Sequence, residues 1–293
     1  MKKLGFVGLG MMGLPMVENL TQVESLQTYV FDQRAEASAP LHTHPAWGQR
    51  LFAATSLAEL AKCETVITML PNSDITNKVV EELATLLPPG TLVIDMGSSN
   101  PTATTQLAAL LERSGIDMVD APVSGAVVKA RAGSLAIMAG GKPEAVARAL
   151  PLLEQMGSAI IQTGGIASAH AMKALNNYVY AAGLLAASEA LLIADRLGLD
   201  KSIFTDVLNA SSGKNIATET KLKQFIIPQT FNGGFALRLQ AKDLATADAL
   251  RTHTSVNAPQ LAQCTRLWEK ASTTLDMDAD NTRIYQFLSS LTA

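Results

Sequence analysis

The six residues Gly8-Leu9-Gly10-Met11-Met12-Gly13 limit the chain's folding choices more than any other stretch. They lie between an apolar run over residues 3–8 and a helical pattern over residues 12–20. Glycines at this spacing permit a tight turn, a close approach to the backbone, and close packing of helix on strand. The helix start then offers N–H groups and a partial positive charge to an anion. A second apolar run, residues 27–31, ends at Asp32. An acid there accepts hydrogen bonds from a ribose and repels a 2′-phosphate, whereas a nearby arginine holds that phosphate. Asp32 therefore points to NAD, and Arg34 keeps NADP possible. The expected cofactor segment comprises Gly8, Gly10, Met11, Met12, Gly13, Asp32, Gln33 and Arg34. Met11 and Met12 enter it by position, since their side chains suit packing rather than chemistry.

More short apolar runs follow at 65–70, 92–96, 118–119, 135–139 and 160–162, bounded by Gly, Pro, Asp or Asn. They read as strands buried on both faces. Helical stretches at 73–86, 101–114 and 143–156 alternate with them. Such alternation makes a mostly parallel sheet covered by helices. After Gly164-Gly165 the pattern becomes one long Ala- and Leu-rich helix over 166–197, then helical periodicity to Leu291 with a loop near 228–234. No convincing strand follows Gly165. The expected plan is thus an α/β Rossmann-type, doubly wound, mostly parallel sheet domain plus an all-α C-terminal domain. The two are residues 1–165 and 166–293, joined by the long helix 166–197.

Composition narrows the function classes. A formal charge of −3, with no basic run, gives no reason to expect a nucleic acid or a membrane surface as partner. The apolar segment 178–194 carries Glu189 and follows Lys173, Asn176 and Asn177, which suits a buried helix better than a membrane span. Gly8, Gly10 and Gly13 interrupt the apolar N-terminus, so a secretion signal is not the expected reading. Cys63 and Cys264 stand far apart, which favours reduced thiols and a cytoplasmic location. The four histidines form no metal spacing, and no metal is expected. A helix apolar nearly all round must be buried against something, either another domain or another subunit. A homodimer or homotetramer is the expectation.

Several segments together resemble the β-hydroxyacid dehydrogenase family. They are FVGLGMMGLPM at Phe6–Met16, ITMLP at Ile67–Pro71, DMGSSNP at Asp95–Pro101, the segment Asp120–Gly141, KALNN at Lys173–Asn177 and KDL at Lys242–Leu244. The resemblance runs from the first strand to about Leu250. It implies the same two-domain plan and the transfer of a hydride between NAD(P) and the hydroxyl or aldehyde carbon of a small 3-hydroxyacid. It also implies roles: Lys173 as the catalytic lysine, Asn177 beside it in catalysis and substrate binding, and Ser124-Gly125 on the substrate carboxylate. Leu70, Pro71, Ser98, Phe231 and Lys242 would lie along the cofactor, with Asp243 closing over the site. The chain departs from the family at Ala126, where a second glycine is usual, and the segment Asn77–Leu87 looks short. Both departures bear on the substrate rather than the reaction.

The residues suit that chemistry on their own terms. Oxidising a hydroxyl requires a base and reducing an aldehyde an acid, and a lysine with a lowered pKa serves both. An ionisable side chain in the first turns of an apolar helix is costly unless paired or used. Asn177 lies four residues on, hence on the same helix face. Each residue also has a plainer reading. Lys173 could snorkel to solvent, and Ser124-Gly125 could be an ordinary turn. Ser98 could merely precede a helix capped by Asn100 and opened by Pro101. Lys242-Asp243 could be a surface pair. The expected partner is a small carboxylate-bearing hydroxyacid or semialdehyde. Rival readings are an imine reductase, a 6-phosphogluconate dehydrogenase, which needs a larger helical domain, and a non-catalytic dinucleotide-binding protein.

Overall fold

The computed structural model describes residues 1–291, so the last two residues of the expected helical domain lie outside the described ones. The chain forms two compact units, the first Met1–Lys173, the second starting at Ala174.

In the first unit the elements run β1 (Lys2–Val7), α1 (Gly13–Leu20), β2 (Leu26–Phe31), β3 (Leu51–Ala53), β4 (Thr65–Thr68), α2 (Ser73–Leu86), β5 (Leu92–Asp95), α3 (Pro101–Arg113), β6 (Asp117–Asp120), β7 (Val123–Ser124), α4 (Ala126–Arg131), β8 (Leu135–Gly141), α5 (Pro143–Leu153) and β9 (Gly157–Gly164). They form a sheet of order β3-β2-β1-β4-β5-β6-β8-β7, with β9 beside β8. Strands β1 to β6 run parallel, and β8 lies antiparallel to both β6 and β7. The order reverses between β1 and β4, and open sheets of this kind bind ligands at that point, outside the strands' carboxyl ends. Register puts Val7, Thr68, Asp95 and Asp120 side by side at those ends. Every residue of β5 is buried, as expected for a strand covered on both faces.

Local sequence explains several boundaries. Asn100 caps α3 by accepting from the Thr102 and Ala103 N–H groups, and Pro101 occupies the first turn. Asn72 caps α2 by accepting from the Ile75 N–H. Such caps stabilise a helix by roughly 1 kcal/mol each. One expectation fails: β9 is an edge strand, and its central Ile161 and Gln162 are exposed rather than buried on both faces. It pairs only with β8, so its apolar residues mark an edge rather than a core strand. The sequence pattern also missed β3 and β7, which have three and two residues.

Helix α6 (Ser168–Arg196) begins in the first unit and continues into the second. The second unit adds α7 (Lys201–Ala210), α8 (Ile216–Thr220), α9 (Leu237–His253), α10 (Pro259–Thr274) and α11 (Ile284–Ser290). Its core gathers Leu184, Leu191, Leu222, Leu244, Trp268 and Phe287. Among the described residues it contains no strand, only an isolated bridge between Ala236 and Asp280.

Candidate active site

The glycine turn follows β1 at the point where the sheet order reverses. Gly8 has φ +103°, and a Cβ there would collide with the Met69 carbonyl. A Cβ on Gly13 would collide with the Gly8 carbonyl, so helix and turn touch through backbone alone. Around Gly10 a Cβ would meet nothing within 4 Å, so this glycine leaves space that the protein does not fill. Met12 stands at the N-cap of α1 and makes no side-chain capping bond. Open space at the middle glycine and a helix start without a side-chain cap fit a pyrophosphate. Met11 is largely exposed and Met12 half-buried.

Asp32 lies one residue past β2. Its Oδ2 accepts the Leu9 N–H at 2.8 Å, and its Oδ1 accepts the Arg34 N–H at 2.9 Å. The carboxylate therefore ties the second strand to the glycine turn. The Arg34 guanidinium is 3.6 Å from Oδ1 and mostly exposed. Gln33 sits between them in the chain and is exposed.

The next two parallel strands contribute loops. Leu70 and Pro71 follow β4, and the Leu70 side chain lies 3.2 Å from a Cβ built on Gly8. Ser98 follows β5 in the loop Met96–Asn100. Asp95 holds that loop, accepting the Gly97 N–H at 3.1 Å and the Ser99 hydroxyl at 2.6 Å. Ser124 ends β7, and Gly125 has φ +139°. A Cβ on Gly125 would come within 2.6 Å of the Lys129 side chain, so the glycine is needed there. Ala126 has φ +56°. The departure from the usual glycine thus places an alanine in the left-handed region, where an L-residue is disfavoured by about 1–2 kcal/mol.

Lys173, half-buried, stands in the second turn of α6. The start of that helix is held from a distance. Asp120, at the end of β6, accepts the Ala167 N–H at 2.8 Å and the His170 N–H at 2.9 Å. Burial pushes the Asp120 carboxyl above the usual carboxylate range, opposed by His170 and these N–H bonds. Sequence reading missed Asp95, Asp120 and His170 as site-shaping groups. The one signal was an acid at the end of each of two buried strands.

In the second unit Asn177 is buried one turn along α6 from Lys173. Its Nδ2 donates to Asp243 Oδ2 at 2.5 Å, and its carbonyl accepts from Gln240 Nε2 at 3.1 Å. The Asn176 amide donates to Asn177 Oδ1 at 3.1 Å. Lys242 lies 3.4 Å from Asp243 Oδ1, with Asp243 buried and Lys242 partly so. The pair is therefore not the solvated surface pair of the plainer reading. Phe231 is buried in the helical core with φ +47°. Apart from Lys173, the expected site residues of the first unit lie at or beyond the ends of β1, β2, β4, β5 and β7. Asn177 and Lys242 belong to a separate gathering in the second unit.

Two family models cover nearly the whole chain. Residues 3–165 match the NAD binding domain of 6-phosphogluconate dehydrogenase. Residues 167–288 match the NAD-binding domain of NADP-dependent 3-hydroxyisobutyrate dehydrogenase. A 2-(hydroxymethyl)glutarate dehydrogenase of Eubacterium barkeri is 33% identical over 274 residues, covering 91% of this chain and 88% of its own. The mitochondrial 3-hydroxyisobutyrate dehydrogenase of Homo sapiens is 33% identical over 264 residues, covering 86% and 76%. A solved 3-hydroxyisobutyrate dehydrogenase from Mycobacterium tuberculosis, with L-serine, superposes with TM-score 0.90 at 30% identity, over 98% of this chain and 99% of its own. The chain belongs to the β-hydroxyacid dehydrogenase family. It is an NAD(P)-dependent oxidoreductase of hydroxyacids.

Proposed function

We propose that the chain interconverts a short 3-hydroxyacid and its semialdehyde, with Lys173 as general acid/base and Asn177 holding the reacting oxygen in line. NAD(P), when bound, accepts or supplies the hydride. The Lys173 amine takes the hydroxyl proton during oxidation and returns it during reduction, a role worth about 10²–10⁴-fold in rate. The Ser124 hydroxyl and the backbone N–H groups near Gly125 hold the carboxylate. Gly8, Gly10, Met11, Met12 and Gly13 receive the pyrophosphate, and Asp32, Gln33 and Arg34 the ribose. Leu70, Pro71 and Ser98 border the nicotinamide side, and Phe231 and Lys242 complete the cofactor contacts. The observation that carries the reading is the anchoring of α6: its start is tied to Asp120 at the end of β6, and the glycine turn follows the end of β1, a parallel strand of the same sheet.

The relatives act on, or are seen with, 2-(hydroxymethyl)glutarate, 3-hydroxyisobutyrate and L-serine, as their names record. These three acids, assayed with NAD and with NADP, are the test. Turnover of at least one, faster with NAD, is expected. Binding of NADH without turnover of any short hydroxyacid would overturn the proposal.

The proposal includes a homodimer or homotetramer. By length and composition α6 is apolar enough to cross a bilayer, yet only 44% of its most apolar window is buried. Leu175, Val179 and Ile193 are exposed along it, as are Ile203 and Val207 on α7. A second copy would cover such a stripe. A monomer by sedimentation at micromolar concentration would refute this part. For location we propose the cytoplasm, supported by two free, buried thiols. Burial pushes Cys63 up to about 11 and Cys264 up to about 12, which keeps both unreactive.

A further inference from the structure

Two carboxylates meet below the start of α6. Asp95 and Asp120 are register partners on adjacent strands, and neither is exposed. Asp95 spends Oδ1 on the Thr68 hydroxyl at 3.0 Å and on the Gly97 N–H, and Oδ2 on the Ser99 hydroxyl. It thus fixes the loop that carries Ser98. Asp120 takes two N–H groups at the start of α6, from residues 47 and 50 positions later in the chain. It stands in for a capping side chain that the local sequence does not supply. Ala167 enters the helix at φ +70°, a conformation the Asp120 bond to its N–H helps to hold. Gly140 makes room, since a Cβ there would lie 2.7 Å from both Asp120 Oδ1 and Ser168 Oγ.

The His170 imidazole fills the space between the carboxylates. Its Nε2 is 3.7 Å from Asp95 Oδ2, and its Nδ1 is 3.8 Å from Asp120 Oδ2. Nδ1 also lies 2.8 Å from the Thr104 hydroxyl on α3. Nε2 has no hydrogen-bond partner among the described residues. A buried nitrogen without a bond is costly, and an apolar side chain would fill the same volume without that cost. Packing alone therefore does not account for an imidazole here. Its placement does, because each ring nitrogen faces a buried carboxylate oxygen, where an apolar side chain would offer only carbon.

We infer that Asp95, His170 and Asp120 form a positioning device that fixes the first turn of α6, and so Lys173, against the loop carrying Ser98. All three are buried from solvent. Lys173 follows His170 by three residues, about one helical turn, so a shift at the helix start moves the amine. The inference deepens the proposed function and rests on it for the chemical role of Lys173.

The test uses the full chain and the variants Asp120→Asn, His170→Asn and Asp117→Asn. Asp120→Asn keeps the shape but turns an amide N–H₂ toward a backbone donor. His170→Asn keeps a group near Thr104 and removes the nitrogen facing Asp95. Asp117→Asn is the control, a partly exposed acid on the same strand, paired with Arg148. Three quantities are read: amide hydrogen exchange over residues 166–173, NADH affinity by fluorescence, and kcat and KM with L-serine and 3-hydroxyisobutyrate. In Asp120→Asn we expect exchange at least tenfold faster and kcat at least tenfold lower, with KM within threefold and NADH affinity within twofold. His170→Asn should change in the same direction by less, and the control should match the parent. If Asp120→Asn does not fold, His170→Asn decides alone. Exchange and kcat unchanged in these variants, or KM rising while kcat holds, would overturn the inference. Should the parent turn over none of the three acids named above, the proposed function loses its support, while exchange in the variants still supports or refutes the device.

Discussion

The two units hold their site residues by different means. In the sheet unit the backbone does much of the work: glycines shape the turn after β1, and strand-end aspartates bond to main-chain N–H groups. In the helical unit side chains do it, with Asn177, Gln240 and Asp243 linked across α6 and α9. A backbone site depends on what a residue lacks. A side-chain site depends on what it carries. Substitutions that add atoms should therefore damage the first unit most, and substitutions that remove atoms the second.

Lys173, at the junction, gives the largest expected effect. Lys173→Ala should lower kcat by about 10²–10⁴-fold, with NADH affinity preserved in a fluorescence titration. An active alanine variant would end the assignment. Next comes Gly13→Ala, where a single methyl meets the Gly8 carbonyl. Crowding of this kind costs about 1–3 kcal/mol, and NADH affinity should fall at least tenfold. Unchanged cofactor affinity would contradict the backbone half of the contrast. Asn177→Ala removes the amide that donates to the buried Asp243. Stripping a donor from a buried acceptor costs about 1–3 kcal/mol, readable in chemical denaturation, with kcat lowered as well. The smallest effect is expected at Ala126→Gly. Relief of the left-handed conformation, about 1–2 kcal/mol, is offset by glycine's extra freedom, about 0.5–1 kcal/mol. Stability should stay level or rise slightly, and a wider range of hydroxyacids should be accepted in the substrate panel.

The same contrast explains what could be read in the sequence. The glycine turn was legible because so few residues tolerate its geometry, and a central strand such as β5 because burial on both faces leaves a short apolar run. The Asn100-Pro101 helix start was legible because cap and first turn are neighbours in the chain. The loop over Ala35–Thr43 and Leu57–Lys62, two short 3₁₀ helices, was not, since neither has a long enough period to stand out. The role of Asp120 was hidden for another reason: its partners lie 47 and 50 residues away, and no local pattern marks them. Asn177 was found through its spacing from Lys173 and the family motif. Its bond to Asp243 depends on how two helices pack, which spacing within one helix does not reveal.

Asp32 has a consequence for anyone wishing to change the coenzyme. Both of its oxygens are already engaged by main-chain donors, one in the glycine turn and one at Arg34. Exchanging it for a neutral residue to welcome a phosphorylated ribose would also unfasten the turn proposed to receive the diphosphate. In the proposed site, coenzyme preference and grip are coupled through one carboxylate, and a redesign would have to replace the fastening before relaxing the preference.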